Sequence, residues 1–374
     1  MRSIYFSSGP SKKMESWDVD VLNSPIINRS HIEQDVRDYF KHSLDLIRKI
    51  LQIPDDYAIF FTPGSANGAL TCAFMNLLQK EREMECFISG YFSKCWEQEI
   101  SGQYKLQTTA IGLSQIENHK CNLDADRMLT MVETPDSIKH ANYDFLPFSN
   151  NDETNTGITI VDAVCAAFLE EIPWHIFDAT IFSAQKILGG DGSIGILVLS
   201  PKAQNRLKTN QELRKQSNHS WPIPRMFNID FWKLDELVNG KMMATPSMLA
   251  MTELQYLLKW LDEHGGVNYL RKKNENNWQI VHEFLEKNSK FDYLIKDPRY
   301  RCRAVVCLEL RKWEENELNS QERAIEMNMI AEKAHSAKIF DIQNVRNPSW
   351  RFWIGPMQED ADIEIGLNRF VNLF

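Results

Sequence analysis

The stretch DATIFSAQKILGGDGSIGILVLS, residues 178–200, holds two short apolar runs, 179–182 and 194–199, that frame a single lysine. Both runs are rich in β-branched residues and bounded by polar or glycine-containing segments, the pattern of buried strands. Lys186 falls just past the first run, beside the amide of Gln185 and ahead of Gly189, Gly190 and Gly192, residues that let backbone pass close to a bound group. An amine in such a loop can be desolvated, which lowers its pKa and frees it to condense with an aldehyde. Read alone, the same lysine is a solvated charge.

One run earlier, GITIV (157–161) reads as another strand and delivers Asp162 at its carboxyl end, where ligands of open α/β sheets bind. A carboxylate there and a lysine after the next strand are the two groups that pyridoxal phosphate needs, a counter-charge for the ring nitrogen and an imine partner. Asp162 by itself is also a helix N-cap ahead of AVCAAF. The hexapeptide GDGSIG (190–195) has the spacing of a dinucleotide fingerprint, but it leads into a strand instead of opening a helix, so nicotinamide binding is a poor reading.

Composition narrows the classes. A chain of 374 residues with 43% hydrophobic content can bury a sizeable core and divide into two domains. Its 42 basic and 51 acidic residues give −9 with no concentrated basic run, which argues against nucleic acid as a partner. MRSIYFSSGP lacks an apolar stretch of signal-peptide length, and no run approaches the roughly 20 apolar residues that span a bilayer, so the expectation is a soluble cytoplasmic protein. Seven cysteines without CxxC spacing read as buried thiols in a reducing compartment. No metal is expected, because the nine histidines and seven cysteines form no close cluster in sequence.

Along the chain, FSSGP (6–10) is a loop, and Val36, Phe40, Leu44, Ile47 and Leu51 recur at helical spacing. A strand over 57–61 runs into TPGSANGAL, where small residues open a helix whose amino end can bind an anion or merely connect strand to helix. Runs 86–89, 106–109, 143–148 and 157–161 continue the strands, with Tyr91 and Phe92 opening a helical pattern. Alternating strands and helices predict a mainly parallel sheet covered on both faces. NDETNTG (151–157) is a polar turn whose Thr154 hydroxyl is placed to face the site. Residues 208–240, with WPIPRMF (221–227), read as an irregular excursion at a subunit interface. ATPSML (244–249) starts a helix with Thr245 as cap and Pro246 in the first turn. Helices over 269–285 and 322–337 and strands over 304–310 and 351–354 complete a smaller α/β domain.

In order and spacing, FSSGP, RSH (29–31), TPGSANGA, ETNTG, VDAVCAAF, FSAQKILGG, SWPIP, ATPSML and WRFWIG resemble the phosphoserine aminotransferase family, within the class-V pyridoxal-phosphate enzymes. The resemblance implies a fold-type-I homodimer: a large domain over 15–250 around a mainly parallel seven-stranded sheet, and a small one over 251–374 with 1–14 packed near it. It implies that Lys186 bears the cofactor and carries protons, and that Asp162 keeps the pyridine nitrogen protonated. Phe92 would stack on the ring and Thr154 would bond its phenolic oxygen. Backbone amides of Ser65 and Ala66, with Gln185 and the partner's Thr245, would hold the phosphate. Arg351 would clamp the substrate α-carboxylate with its bidentate fork, and His31 would line the pocket. The implied reaction is transamination between glutamate and 3-phosphohydroxypyruvate.

Two positions depart from the family. Ile32 stands where an arginine helps hold the far anionic group of the substrate, and Ala244 where an asparagine contacts the cofactor phosphate. The second change removes about one hydrogen bond, on the order of 1 kcal/mol. The first leaves a phosphate without its cation unless Arg29 or Arg37 supplies one, so an aminotransferase for a less anionic 2-oxo acid is the alternative. A lyase or desulfurase on the same fold is a second alternative, disfavoured because no cysteine falls in an evident catalytic loop.

Overall fold

A computed structural model describes residues 2–146, 152–216, 221–344 and 347–374. At its centre is a seven-stranded sheet in the order Ala58–Pro63, Ile194–Leu199, Ala179–Ser183, Thr159–Asp162, Asp126–Thr130, Met84–Ile88, Thr108–Gly112. Only Ile194–Leu199 runs against the others. Successive side chains of a strand point to opposite faces. Phe61, Phe182, Ile196 and Val198 therefore enter one buried cluster, while Phe60, Ile181, Leu197 and Leu199 enter the other. The β-branched runs are continuous because both faces are covered.

Helix Ser65–Leu77 lies against this sheet so closely that a Cβ on Gly68 would stand 1.8 Å from the Pro63 carbonyl oxygen. Its Asn76 amide donates to the Phe227 carbonyl at 2.7 Å and accepts from the Ile229 amide at 3.2 Å, docking the segment after WPIPRMF. Helix Gln34–Leu51 buries Val36, Phe40, Leu44 and Ile47 and packs on Met248–Glu263, whose Gln255 reaches Tyr39 and Ser43. The carboxyl third forms a four-stranded antiparallel sheet, Phe291–Tyr293, Val305–Leu310, Ser349–Trp353, Gln343–Asn344, backed by Val267–Lys287 and Asp360–Val371. Strand Ile4–Tyr5 pairs in parallel with Ile339–Phe340. No helix among the described residues is long and apolar enough to cross a membrane.

Three sequence expectations fail locally. Residues 143–146 form a turn, not a strand, and 147–148 lie outside the described residues; the strand at that place in the sheet is Asp126–Thr130. Its charged start hid it: Asp126 is buried against Arg206 at 3.0 Å, and Arg127 beside Glu85 at 3.6 Å. The first part of the 208–240 excursion continues helix Pro201–Gln216, residues 217–220 lie outside the described residues, and the remainder folds into short turns at Arg225–Phe227, Ile229–Trp232 and Leu234–Leu237. The helix after ATPSML starts at Met248, capped by Ser247, whose hydroxyl accepts from the Ala250 amide at 3.3 Å, so Thr245 and Pro246 precede it.

Candidate active site

Parallel strands present all their carboxyl ends at one edge, and the single reversed strand brings its amino end there too. Ala58–Pro63 leads to Ser65, Met84–Ile88 to Phe92, Asp126–Thr130 to Glu133 and Thr134, Thr159–Asp162 to Asp162 itself, and Ala179–Ser183 to Gln185 and Lys186; Ser193 enters Ile194–Leu199. Residues scattered over most of the large domain thereby share one sheet edge.

The lysine loop is closed by its own backbone, Gly190 amide to Ala184 carbonyl at 3.0 Å, and clamped from outside by the amino-terminal segment. The Ser11 amide donates to the Gln185 carbonyl at 2.9 Å, and its hydroxyl donates to the Lys186 carbonyl at 2.5 Å. Gly189 has φ +64°, and a Cβ there would lie 2.2 Å from the Lys12 carbonyl oxygen, so both conformation and space require glycine. Gly9 lies against the amine itself: a Cβ on it would be 2.5 Å from Lys186 Nζ.

Asp162 is buried, its Oδ1 accepting from the Val164 amide at 3.0 Å and its Oδ2 from Trp96 Nε1 at 3.1 Å. Burial pushes its carboxyl up, against the pull of those two donors and the Lys186 charge. Trp96 in turn stacks on Phe92, centroids 6.2 Å apart and planes 23° from parallel, so helix Tyr91–Gly102 brings an aromatic pair to the carboxylate.

At the other end, Gln185 Nε2 donates to Ser65 Oγ at 3.0 Å, and that hydroxyl lies 3.4 Å from Ser183 Oγ. The Gly64 and Ser65 amides both donate to the Ser193 carbonyl at 3.2 Å, so the Ser65 amide is engaged within the chain, contrary to expectation. The buried Ala66 follows in the first helical turn, where an amide has no partner inside the helix. Thr245, expected from a partner subunit, shares a cavity of about 160 Å³ with Pro63 and Ser193 of its own chain.

Thr154 is not at this edge. It is exposed and precedes the amino end of Thr159–Asp162, where its amide and hydroxyl both donate to Asp152. The chain has a second Glu-Thr pair, Glu133-Thr134, carried past the carboxyl end of Asp126–Thr130. Thr134 is buried, with the Cys165 thiol 3.7 Å from its hydroxyl and that thiol within the field of Lys186 and Asp162. The apolar run MLTMV (128–132) directly ahead of the pair was the available signal. Arg351 pairs in register with Cys307, whose thiol points at the Pro135 carbonyl at 3.7 Å, so the small domain presents Arg351 beside the Thr134 loop. His31 and Ile32 occupy the turn ahead of Gln34–Leu51, with Ile32 64% exposed. At the opposite edge, Glu85, His119 and Cys121 offer ligand-type atoms within 4.8 Å of one another, a grouping hidden by sequence separation, but the buried Arg127 guanidinium already places a positive charge beside Glu85.

The model of the family described as aminotransferase class V matches residues 13–329. The chain belongs to the class-V aminotransferases. These are pyridoxal-phosphate enzymes, and the donor set here suits that group: an amine and a buried carboxylate on adjacent strands, an aromatic pair, and hydroxyl, amide and helix-start donors for a phosphate. Among relatives of this class-V chain, phosphoserine aminotransferase of Methanosarcina mazei is 30% identical over 369 residues, covering 96% of this chain and 93% of that protein. The crystal structure of a phosphoserine aminotransferase from Cytophaga hutchinsonii superposes with a TM-score of 0.80 at 18% identity, covering 99% and 98% of the two chains. A ureidoglycine-glyoxylate aminotransferase from Bacillus subtilis reaches 0.78 at 13% identity, covering 100% and 93%, so the fold by itself does not select the substrate.

Proposed function

We propose that this aminotransferase exchanges the amino group of glutamate with 3-phosphohydroxypyruvate, giving O-phosphoserine and 2-oxoglutarate. The observation that carries the reading is the convergence of Lys186 and Asp162 at one sheet edge in a chain alike over nearly its whole length to a phosphoserine aminotransferase. When bound, pyridoxal phosphate supplies the electron sink that lets an amino acid lose its α-proton. The protein does the rest. Asp162, held by Trp96 and the Val164 amide, keeps a negative charge for the pyridine nitrogen. The Lys186 amine moves the proton, with its loop fixed by Ser11 and room for the amine left by Gly9. Ala66, Ser65 Oγ and Gln185 serve the phosphate, with Thr134 in the place first given to Thr154. Arg351 takes the α-carboxylate, and His31 lines the substrate pocket.

One observation favours a less anionic 2-oxo acid instead. Both arginines near Ile32 already have a carboxylate beside them, Arg29 facing Glu33 and, at 2.8 Å, Asp35, and Arg37 facing Glu236 at 3.6 Å. Steady-state kinetics with glutamate against phosphorylated and unphosphorylated 2-oxo acids, with Lys186→Ala as control, separate the readings. A kcat/KM highest for 3-phosphohydroxypyruvate supports the first; preference for an unphosphorylated acid overturns it in favour of the second.

A further inference from the structure

Behind the aromatic pair sits a carboxylate that the motif reading passed over. Glu133, ending the short strand Val132–Glu133, is fully buried, and it accepts from the Phe92 amide through Oε2 at 2.9 Å and from the Ser93 amide through Oε1 at 2.7 Å. These are first-turn amides of the 12-residue helix Tyr91–Gly102. Asp136 of the same hairpin accepts from the Tyr91 amide at 3.1 Å. First-turn amides lack partners within their helix and carry the positive end of its dipole, so an ionised carboxylate is the group held there most firmly. A turn further on, the same helix carries Trp96, which donates to Asp162 and stacks on Phe92. The approach is tight, since a Cβ on Gly90 would stand 2.9 Å from Glu133 Cγ.

We propose that ionised Glu133 is a positioning residue of this aminotransferase: by clamping the amino end of Tyr91–Gly102 it keeps Trp96 on Asp162 and Phe92 in line with it. The proposal rests on the aminotransferase reading of the site and not on which oxo acid is used. Protonation would put a hydroxyl hydrogen against an amide hydrogen and release the clamp. Burial pushes the Glu133 carboxyl up to about 7, opposed by the Ser93 and Phe92 donors and reinforced by Asp162. The other charged or titratable groups around it are Asp136 on its own hairpin and Cys165 across the sheet edge, the latter also in the field of Lys186; Lys94 on the helix is exposed.

The test uses cofactor-free, 15N-labelled protein. The Trp96 indole resonance, identified by its loss in Trp96→Phe, is followed from pH 5.5 to 8.5, and pyridoxal-phosphate affinity is measured over the same range by equilibrium dialysis. The wild-type resonance is expected to move with a midpoint near 7. In Glu133→Gln it stays in its low-pH position, and affinity at pH 8 falls about ten- to a hundredfold. Glu133→Asp keeps a charge and restores a titration with a shifted midpoint. A wild-type resonance that does not titrate, or a titration unchanged in Glu133→Gln, overturns the proposal. If the glutamine variant fails to fold, an unshifted midpoint in Glu133→Asp does so. A protein that shows the titration yet transaminates only unphosphorylated oxo acids would instead sink the substrate reading and leave this one standing.

Discussion

Ile32 is the residue on which the choice between the two proposed substrates turns. It stands in an exposed turn, and the two neighbouring arginines already face carboxylates. If the pocket has given up a phosphate-binding charge, Ile32→Arg restores a charge-assisted hydrogen bond of roughly 1.5–3 kcal/mol and raises kcat/KM for the phosphorylated oxo acid about ten- to a hundredfold. A variant that is worse on that acid, beside a wild type that prefers it, would show that a cation from elsewhere already serves. Gly9 gives a second prediction. Its Cβ would lie 2.5 Å from Lys186 Nζ and 2.7 Å from Cε, so Gly9→Ala must push the amine aside. Far-ultraviolet circular dichroism should be unchanged while kcat falls about 10- to 100-fold, as a displacement of about 1 Å at a reacting group does; near-normal turnover would mean the amine moves at no cost. Lys186 and Asp162 stood out in the sequence because few residue types suit an aldehyde cofactor, and the structure brings the two to one sheet edge. Thr154 was misread because the pair Glu-Thr occurs twice, and only the sheet tells which copy stands at a carboxyl end.

At the scale of elements, apolar strands and amphipathic helices were visible in the sequence because burial imposes a period on them. Asp126–Thr130 was not, since it buys its place with buried ion pairs that look like a loop in sequence. Helix Tyr91–Gly102 shows a related tension. Glu133 sits at about 7 when folded against an ordinary 4.5, so the folded chain holds this proton to higher pH than the unfolded chain does. The group's contribution to stability is therefore full below about pH 4.5 and is lost as pH rises toward 7, by about 3 kcal/mol. Urea unfolding of wild type and Glu133→Gln should diverge accordingly, the variant gaining relative stability between pH 5 and 8 while losing cofactor affinity. A constant difference across that range would remove the buried charge as the cause. The clamp is thus most useful at the pH where it strains the fold most, the usual bargain of a buried functional charge.

Across the whole molecule, the segment around residues 4–12 joins bodies that are otherwise far apart in sequence. Ile4–Tyr5 enters the smaller body beside Ile339–Phe340, Phe6 packs edge-on against Phe352 at 5.0 Å, Lys12 binds Glu359 and Asp362, and Ser11 holds the lysine loop. Deleting residues 2–11 should weaken pyridoxal-phosphate binding about tenfold or more through the lost Ser11 bonds, and lower the melting temperature through the lost Ile4 and Phe6 burial. Equilibrium dialysis and calorimetry would check the two effects, and unaltered affinity would show that the loop holds itself. The parallel pairing of Ile4–Tyr5 with Ile339–Phe340 also sets an order of events in the cell. On the ribosome, the strap emerges ahead of its partner strand and waits through roughly tens of seconds of elongation before that strand exists. The nascent large domain can assemble its sheet in that interval, but the lysine stays unsecured. The Ser11 clamp on the lysine loop therefore takes its final setting only after the strand Ile339–Phe340 has been made.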